Sequence, residues 1–237
     1  MSSETRLLEL RAVTKSFQRM LVVDNVTFTV RPGEIVGLVG PNGSGKTTIV
    51  NLISGVVPLD SGQILLDGRP VERLSAFRRV HLGINRSFQV PKPFRDMTVA
   101  ENIRVALEFG GRGGGADLER ILTDLDFVAQ RDQPAGALTV NQQKMLDLAR
   151  ALATRPKLLL IDEIGAGSNP SELAGIVALL TRLAARGIAL LVIEHLLGFL
   201  NRLTNHVIVL NAGSKLFEGT LKDASADRNV VAAFLGG

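Results

Sequence analysis

Lys46 and Thr47 fall in the run Gly40-Pro41-Asn42-Gly43-Ser44-Gly45-Lys46-Thr47-Thr48, which has the spacing GxxxxGK[ST]. Its glycines let successive backbone N–H groups curl around a phosphate chain. A helix beginning there adds partial positive charge at its N-terminus. Lys46 has the reach for β- and γ-phosphates, and the Thr47 hydroxyl suits Mg2+. The run carries weight because of its flanks. Ile35–Val39 is a short apolar stretch that predicts a strand buried on both faces, and Ile49, Val50, Leu52 and Ile53 predict a helix closing at Gly55. A glycine turn that merely contains Lys-Thr would not need both. The implied ligand is a nucleoside triphosphate with its Mg2+.

A second chemical pair is Asp162-Glu163, directly after the apolar run Leu158–Ile161. A carboxylate at the end of a buried strand is costly unless it faces a cation, which suits Asp162 to Mg2+. Glu163 beside it could polarise an attacking water as general base. Two acids opening a solvated turn would account for a lone Asp-Glu pair, but the apolar strand before this one and the phosphate loop upstream favour the Mg2+ and general-base roles. His195, just past the predicted strand Ile188–Ile193, and Gln89, after a strand around Ile84, read in isolation as a strand-end histidine and a surface glutamine.

The elements that must position these groups follow from periodicity. Leu7–Leu10 running into Val13, and Val22–Val30 before the turn Arg31-Pro32-Gly33, predict short strands, and Ser61–Pro70 reads as a hairpin. Residues 97–150 read as mostly helical, with Thr98 and Glu101 spaced as a capping box. The GGRGGG run at 110–115 reads as a connector between helices. It lacks the preceding strand and following GK[ST] of a phosphate loop. From Lys157 the α/β alternation returns. Asn169-Pro170-Ser171-Glu172 starts a helix whose apolar positions (173, 176, 177, 180, 183 and 184) share one face, and Gly187 ends it. Val207–Leu210 and Lys215–Phe217 form a closing hairpin. This order predicts an α/β sheet interrupted by a helical insertion, with ligand outside the strand C-termini.

Composition narrows the chemistry further. The chain has 237 residues and no cysteine, so disulfides, thiolate metal sites and cysteine nucleophiles are excluded. Three histidines, His81, His195 and His206, are too scattered for a histidine metal cluster. Lys and Arg number 27 against 23 Asp and Glu, a mild excess with Arg78-Arg79 the only adjacent arginines. Nucleic acid is therefore not an expected partner. No apolar run is long enough to span a bilayer, and MSSETRLLEL lacks the apolar centre of an export signal. A cytosol-facing chain is expected.

The order of phosphate loop, Gln89, helical insertion, glutamine-rich helix start, Asp162-Glu163 and His195 resembles the ATPase subunit of an ABC transporter, across essentially the whole chain. The resemblance implies a P-loop NTPase fold: a RecA-like α/β core with an N-terminal antiparallel β subdomain (residues 1–96 and 151–237) and a helical subdomain (97–150). It implies ATP as the nucleotide. Gln89 then looks like the Q-loop glutamine, contacting Mg2+ and water and sensing the membrane subunit. His195 looks like the switch histidine at the γ-phosphate, and Phe17 falls where the family stacks an aromatic on adenine. Ala166–Asn169 matches the D-loop that meets a facing subunit.

Within the family, the segments Asn85–Gln89, Pro93–Asn102, Gln142–Leu146 and Ala233–Gly236 are most similar to the ATPases of branched-chain amino acid importers. Such a subunit would lie peripherally on the cytoplasmic face of the cell membrane. It would serve separate permease subunits and, through them, a substrate-binding protein. The family signature, Leu-Ser-Gly-Gly-Gln, is altered to Leu138-Thr139-Val140-Asn141-Gln142. Thr139 keeps a hydroxyl and Gln142 is retained, but Val140 and Asn141 replace glycines whose missing side chains allow close approach to phosphate. Ile164, Ser168 and Leu196 also depart from the usual Pro, Leu and Asp. In this family the signature acts on ATP held by the other subunit. The departure therefore favours pairing with a different ATPase that bears an intact signature. A soluble ABC-type ATPase and a low-turnover nucleotide-binding regulatory subunit stay open as alternatives.

Overall fold

The computed structural model describes residues 6–87, 90–110 and 118–235. Two antiparallel strands, Leu8–Phe17 (β1) and Met20–Val30 (β2), open the chain, with Phe17 opposite Met20. Gln18 and Arg19 turn the ribbon with positive φ at both positions, as a two-residue hairpin requires. Ile35–Val39 (β3) leads through the glycine-rich loop into Lys46–Ser54 (α1), which ends at left-handed Gly55 as expected. The hairpin Ser61–Leu66 (β4) and Arg69–Pro70 (β5) completes a four-stranded sheet of order β2-β1-β4-β5.

Next come Ala76–Leu82 (α2), Ile84–Arg86 (β6), Val99–Phe109 (α3), Leu118–Asp124 (α4) and Val140–Ala153 (α5). Alternation then resumes with Leu158–Asp162 (β7), Pro170–Ala185 (α6), Ala189–Ile193 (β8) and Leu197–Leu203 (α7). The hairpin His206–Asn211 (β9) and Ser214–Gly219 (β10) is followed by Leu221–Ala226 (α8) and Arg228–Leu235 (α9). The capping boxes at Thr98/Glu101 and Asn169/Glu172 form as their spacing predicts. Most of the 110–115 glycine run lies outside the described residues.

The second sheet has order β10-β9-β3-β8-β7-β6, parallel except for the β9–β10 hairpin. Its central strands are buried on both faces, which is why they read as unbroken apolar runs. Leu158, Leu160, Leu191 and Leu38 face α1 and the four-stranded sheet. Leu159, Ile161, Leu190 and Val192 face the helices, in one continuous core with residues of α3, α5 and α6. Leu38 and Asp162 both pair with Ile193, so the loops after β3, β7 and β8 emerge at the same edge.

Two polar devices brace this frame. Arg79 of α2 is 2% exposed and donates to four carbonyls: Leu52 (2.5 Å) and Ile53 (2.9 Å) at the end of α1, Leu74 (3.0 Å) and Glu72 (2.9 Å). One guanidinium thus adds a donor to the Leu52 carbonyl, which also accepts from the Gly55 N–H at 3.3 Å, and gives the next carbonyl, Ile53, a partner. At the other end of the sheet, His206 Nδ1 lies 2.7 Å from Glu34 and its Nε2 3.4 Å from Glu218, which also pairs with Lys215 at 2.5 Å. The two carboxylates push the His206 pKa up to about 9, and His206 and Lys215 hold Glu218 down at about 2.

Because the histidine pKa is raised by folding, its contribution is complete below about pH 6.5 and disappears as pH rises through about 9. The lowered Glu218 adds stability above about pH 4.5, lost as pH falls toward 2. Urea unfolding from pH 6 to pH 10 should show a loss on the order of 1–2 kcal/mol, since partial exposure screens the cluster. His206→Gln should flatten that part of the profile.

Candidate nucleotide-binding site

The loop after β3 walls a cavity of about 260 Å3, formed by residues 42–48 with Val22, Glu163, Ile193 and His195. Its shape depends on glycine. At Gly40, φ is +151°, and a Cβ there would stand 2.2 Å from the Leu210 carbonyl oxygen. At Gly45, φ is +101°, and a Cβ would be 2.8 Å from the Val22 oxygen. Other residues could not follow this path without moving neighbouring backbone. No side chain caps α1 and its first turn carries no acid, so its leading N–H groups are left for an anion.

Lys46, 6% exposed, donates to the carbonyls of Gly40 (2.8 Å) and Pro41 (2.9 Å). Burial pulls its pKa down, opposed by the charges of Glu163 and Asp162. The buried Ser44 Oγ has no hydrogen-bond partner among the described residues. An ammonium and an unsatisfied hydroxyl at a capless helix start fit a polyphosphate. Thr47 and Thr48 line the same cavity.

The opposite wall comes from β7 and β8. Glu163 Oε1 lies 3.1 Å from His195 Nε2. Glu163 has φ +50°, a left-handed conformation that non-glycine residues seldom adopt, and such strain concentrates at working sites. Asp162 is set behind this pair, buried, with Arg86 at 3.8 Å as its cation. Burial pushes its pKa up, and Arg86 pulls it back. Arg86 also donates to Asn51 of α1 at 2.6 Å, tying the phosphate-loop helix to the strand pair β6–β7. Of the residues expected to hold Mg2+, Thr47 and Asp162 offer only oxygen donors, which suits that ion. Among the described residues no cluster of three or more His, Asp or Glu could hold a metal, so the ion would draw its other ligands from phosphate and water.

The sequence candidates therefore divide. The loop residues 42–48, Glu163 and His195 converge, while Gly40 and Pro41 form the floor that receives Lys46. Phe17 is 41% exposed at the tip of the β1–β2 ribbon, with the Lys15 ammonium 5.3 Å from its ring, and does not line the cavity. Gln89 lies outside the described residues.

The 139–142 stretch is on another face, beside a groove of about 690 Å3 between α4, α5 and α6. Thr139 and Gln142 form the capping box of α5, and Asn141 Nδ2 donates to Glu172 Oε2 at 3.0 Å. Sequence reasoning missed Arg86, Lys144 and Glu194. Glu194 carried the same signal as Asp162, an acid closing an apolar strand. It is 2% exposed, accepts from the Gly165 N–H at 2.7 Å, and burial raises its pKa.

Residues 23–166 match the family model described as ABC transporter. An uncharacterized ABC transporter ATP-binding protein of Rhizobium meliloti is 37% identical over 95% of this chain and 85% of its own. The high-affinity branched-chain amino acid transport ATP-binding protein BraF of Pseudomonas aeruginosa is 30% identical over 97% of this chain and 98% of its own. The crystal structure of the ADP conformation of an ATP-binding cassette from an ABC transporter superposes with a TM-score of 0.88. It is 29% identical and covers 98% of this chain and 99% of that one. With a glycine-walled anion cavity, a buried lysine and a carboxylate–histidine pair on its rim, the chain belongs to the ABC transporter family, as an ATP-binding subunit that hydrolyses ATP to power transport.

Proposed function

We propose that this subunit binds MgATP in the cavity walled by residues 42–48 and drives import of branched-chain or related amino acids through separate permeases. The observation that carries the site is the Glu163–His195 pair, 3.1 Å apart, across the cavity from Lys46. Lys46 exchanges the Gly40 and Pro41 carbonyls for β- and γ-phosphate oxygens. Thr47, Asp162 and Gln89 would hold Mg2+, which would supply charge neutralisation to the transferring phosphoryl group. Glu163 accepts a hydrogen bond from the attacking water and draws off its proton, while His195 orients Glu163 and bonds the γ-phosphate. Phe17 stacks on adenine, which needs no hydrogen bond and discriminates weakly between bases.

Residues 1–96 and 151–237 act as the nucleotide-binding core, and 97–150 as the helical lobe that docks a permease. The subunit sits peripherally on the cytoplasmic membrane face. Among the described residues no helix is long and apolar enough to cross a membrane. Its ATPase partner is a different subunit with an intact signature, because Val140 and Asn141 stand where the signature carries glycines, and the Asn141 side chain is turned to Glu172. The amino-acid substrate is inferred from the likeness to BraF.

The test is purification of the complex with its permeases and second ATPase, and reconstitution in proteoliposomes. ATP-dependent uptake of labelled leucine, isoleucine or valine, lost with Lys46→Met, is the expected result. A complex with no permease, or uptake indifferent to that change, would overturn the proposal.

A further inference from the structure

We propose that Lys144 is a positioning residue for ATP hydrolysis, holding the backbone of Glu163 in its left-handed conformation. The inference rests on the reading of Glu163 as the group that polarises water. Lys144 Nζ donates to the Glu163 carbonyl at 3.2 Å and to the Ala166 carbonyl at 2.7 Å. Glu163 is further held by its own N–H to Ile193 O (3.0 Å) and by the Ala166 N–H to its carbonyl (3.3 Å). A left-handed non-glycine residue persists only when its surroundings over-determine it. Here a single ammonium grips both ends of the 163–166 turn.

The ammonium stands on a firm base. The inner face of α5 places Leu146, Leu148 and Ala149 in one core with Ile161 and Ile164. Its first turn is fixed by the Thr139/Gln142 capping box, by Gln143 donating to Leu138 O at 3.0 Å, and by Asn141 donating to Glu172. From the other side Glu194 accepts from the Gly165 N–H, so the same loop has its carbonyls held by α5 and an amide held from beyond β8. If Lys144 is removed, φ at Glu163 can relax, and the carboxylate swings away from His195 without any change in the phosphate loop. The predicted defect is therefore in turnover and not in nucleotide binding.

The experiment uses the assembled complex with Lys144→Ala, Lys144→Arg and Glu163→Gln, with MgATP as ligand. Lys144→Ala should lower kcat about 10- to 100-fold, as expected for a misplaced catalytic group, with ATP affinity and KM within about twofold. Hydrogen exchange at the amides of Ala166 and Ser168 should accelerate. Lys144→Arg, whose fork also reaches two carbonyls, should restore most of the rate. An unchanged kcat, an equal loss of ATP affinity, or no rescue by Arg would overturn the role of Lys144. Should the Ala variant fail to fold, Lys144→Gln, which keeps an uncharged NH2 donor group on a shorter side chain, gives the same comparison. Full hydrolysis by Glu163→Gln would instead sink the underlying reading of Glu163. An inactive Glu163→Gln beside a fully active Lys144→Ala would sink only the positioning role.

Discussion

Glu163→Gln should cut ATP turnover by about 10²- to 10⁴-fold while MgATP still binds with near wild-type affinity. The amide keeps the shape and the hydrogen-bonding contact toward His195 but cannot take a proton from water. It also leaves the phosphate loop untouched, since Lys46 and Ser44 do not depend on the Glu163 side chain for their placement. The measurement is steady-state phosphate release beside fluorescent-nucleotide binding on the same preparation. Repeating the exchange in the partner ATPase tests the asymmetry implied by Val140 and Asn141. A large loss here and a small loss there is the expected pattern, because the partner's nucleotide would be served by the altered signature. Equal losses would refute it.

Lys46→Met should abolish nucleotide affinity on the working scale. Removing the buried charged partner of a phosphate costs about 2–5 kcal/mol, a loss of roughly 30-fold to several thousand-fold. The folded chain should tolerate the change well. Burying the ammonium is itself unfavourable, as its lowered pKa records. Thermal unfolding with and without MgATP separates the two effects. The variant should melt near wild type without nucleotide and lose the ligand-dependent rise in Tm. A preserved rise would mean that phosphate binds elsewhere.

What could be read in advance was local in sequence. Gly40–Thr47 carries its own flanking strand and helix, and Asn169-Pro170-Ser171-Glu172 contains every atom of its cap, so both were legible. Asp162 was legible as a buried acid needing a cation. That Arg86 meets it depends on β6 lying beside β7, a pairing no short window contains. Lys144 reaches a loop 19 positions away, and Arg79 a helix end 27 positions away. Each looks like an ordinary surface cation until the fold is assembled. Helices α2, α7, α8 and α9 escaped sequence reasoning because each is only two turns or so, too short for apolar periodicity to stand out. Thr139 and Gln142 were noted as signature remnants, and their use as a capping box needed only the S/T-x-x-E/Q spacing already visible.

Arg79 has a practical consequence for protein engineering. The strand–loop–helix unit from 35 to 55 looks like a portable phosphate-binding cassette. Its helix is closed in part by Gly55, whose N–H reaches the Asn51 and Leu52 carbonyls, and in part by a guanidinium supplied from a later helix, which also gathers the carbonyls of residues 72 and 74. Grafted alone, that unit would expose α1 to fraying at its far end and let the anion-facing turn drift. The smallest piece that carries its own closure runs to the end of α2, and a graft should be cut at residue 82.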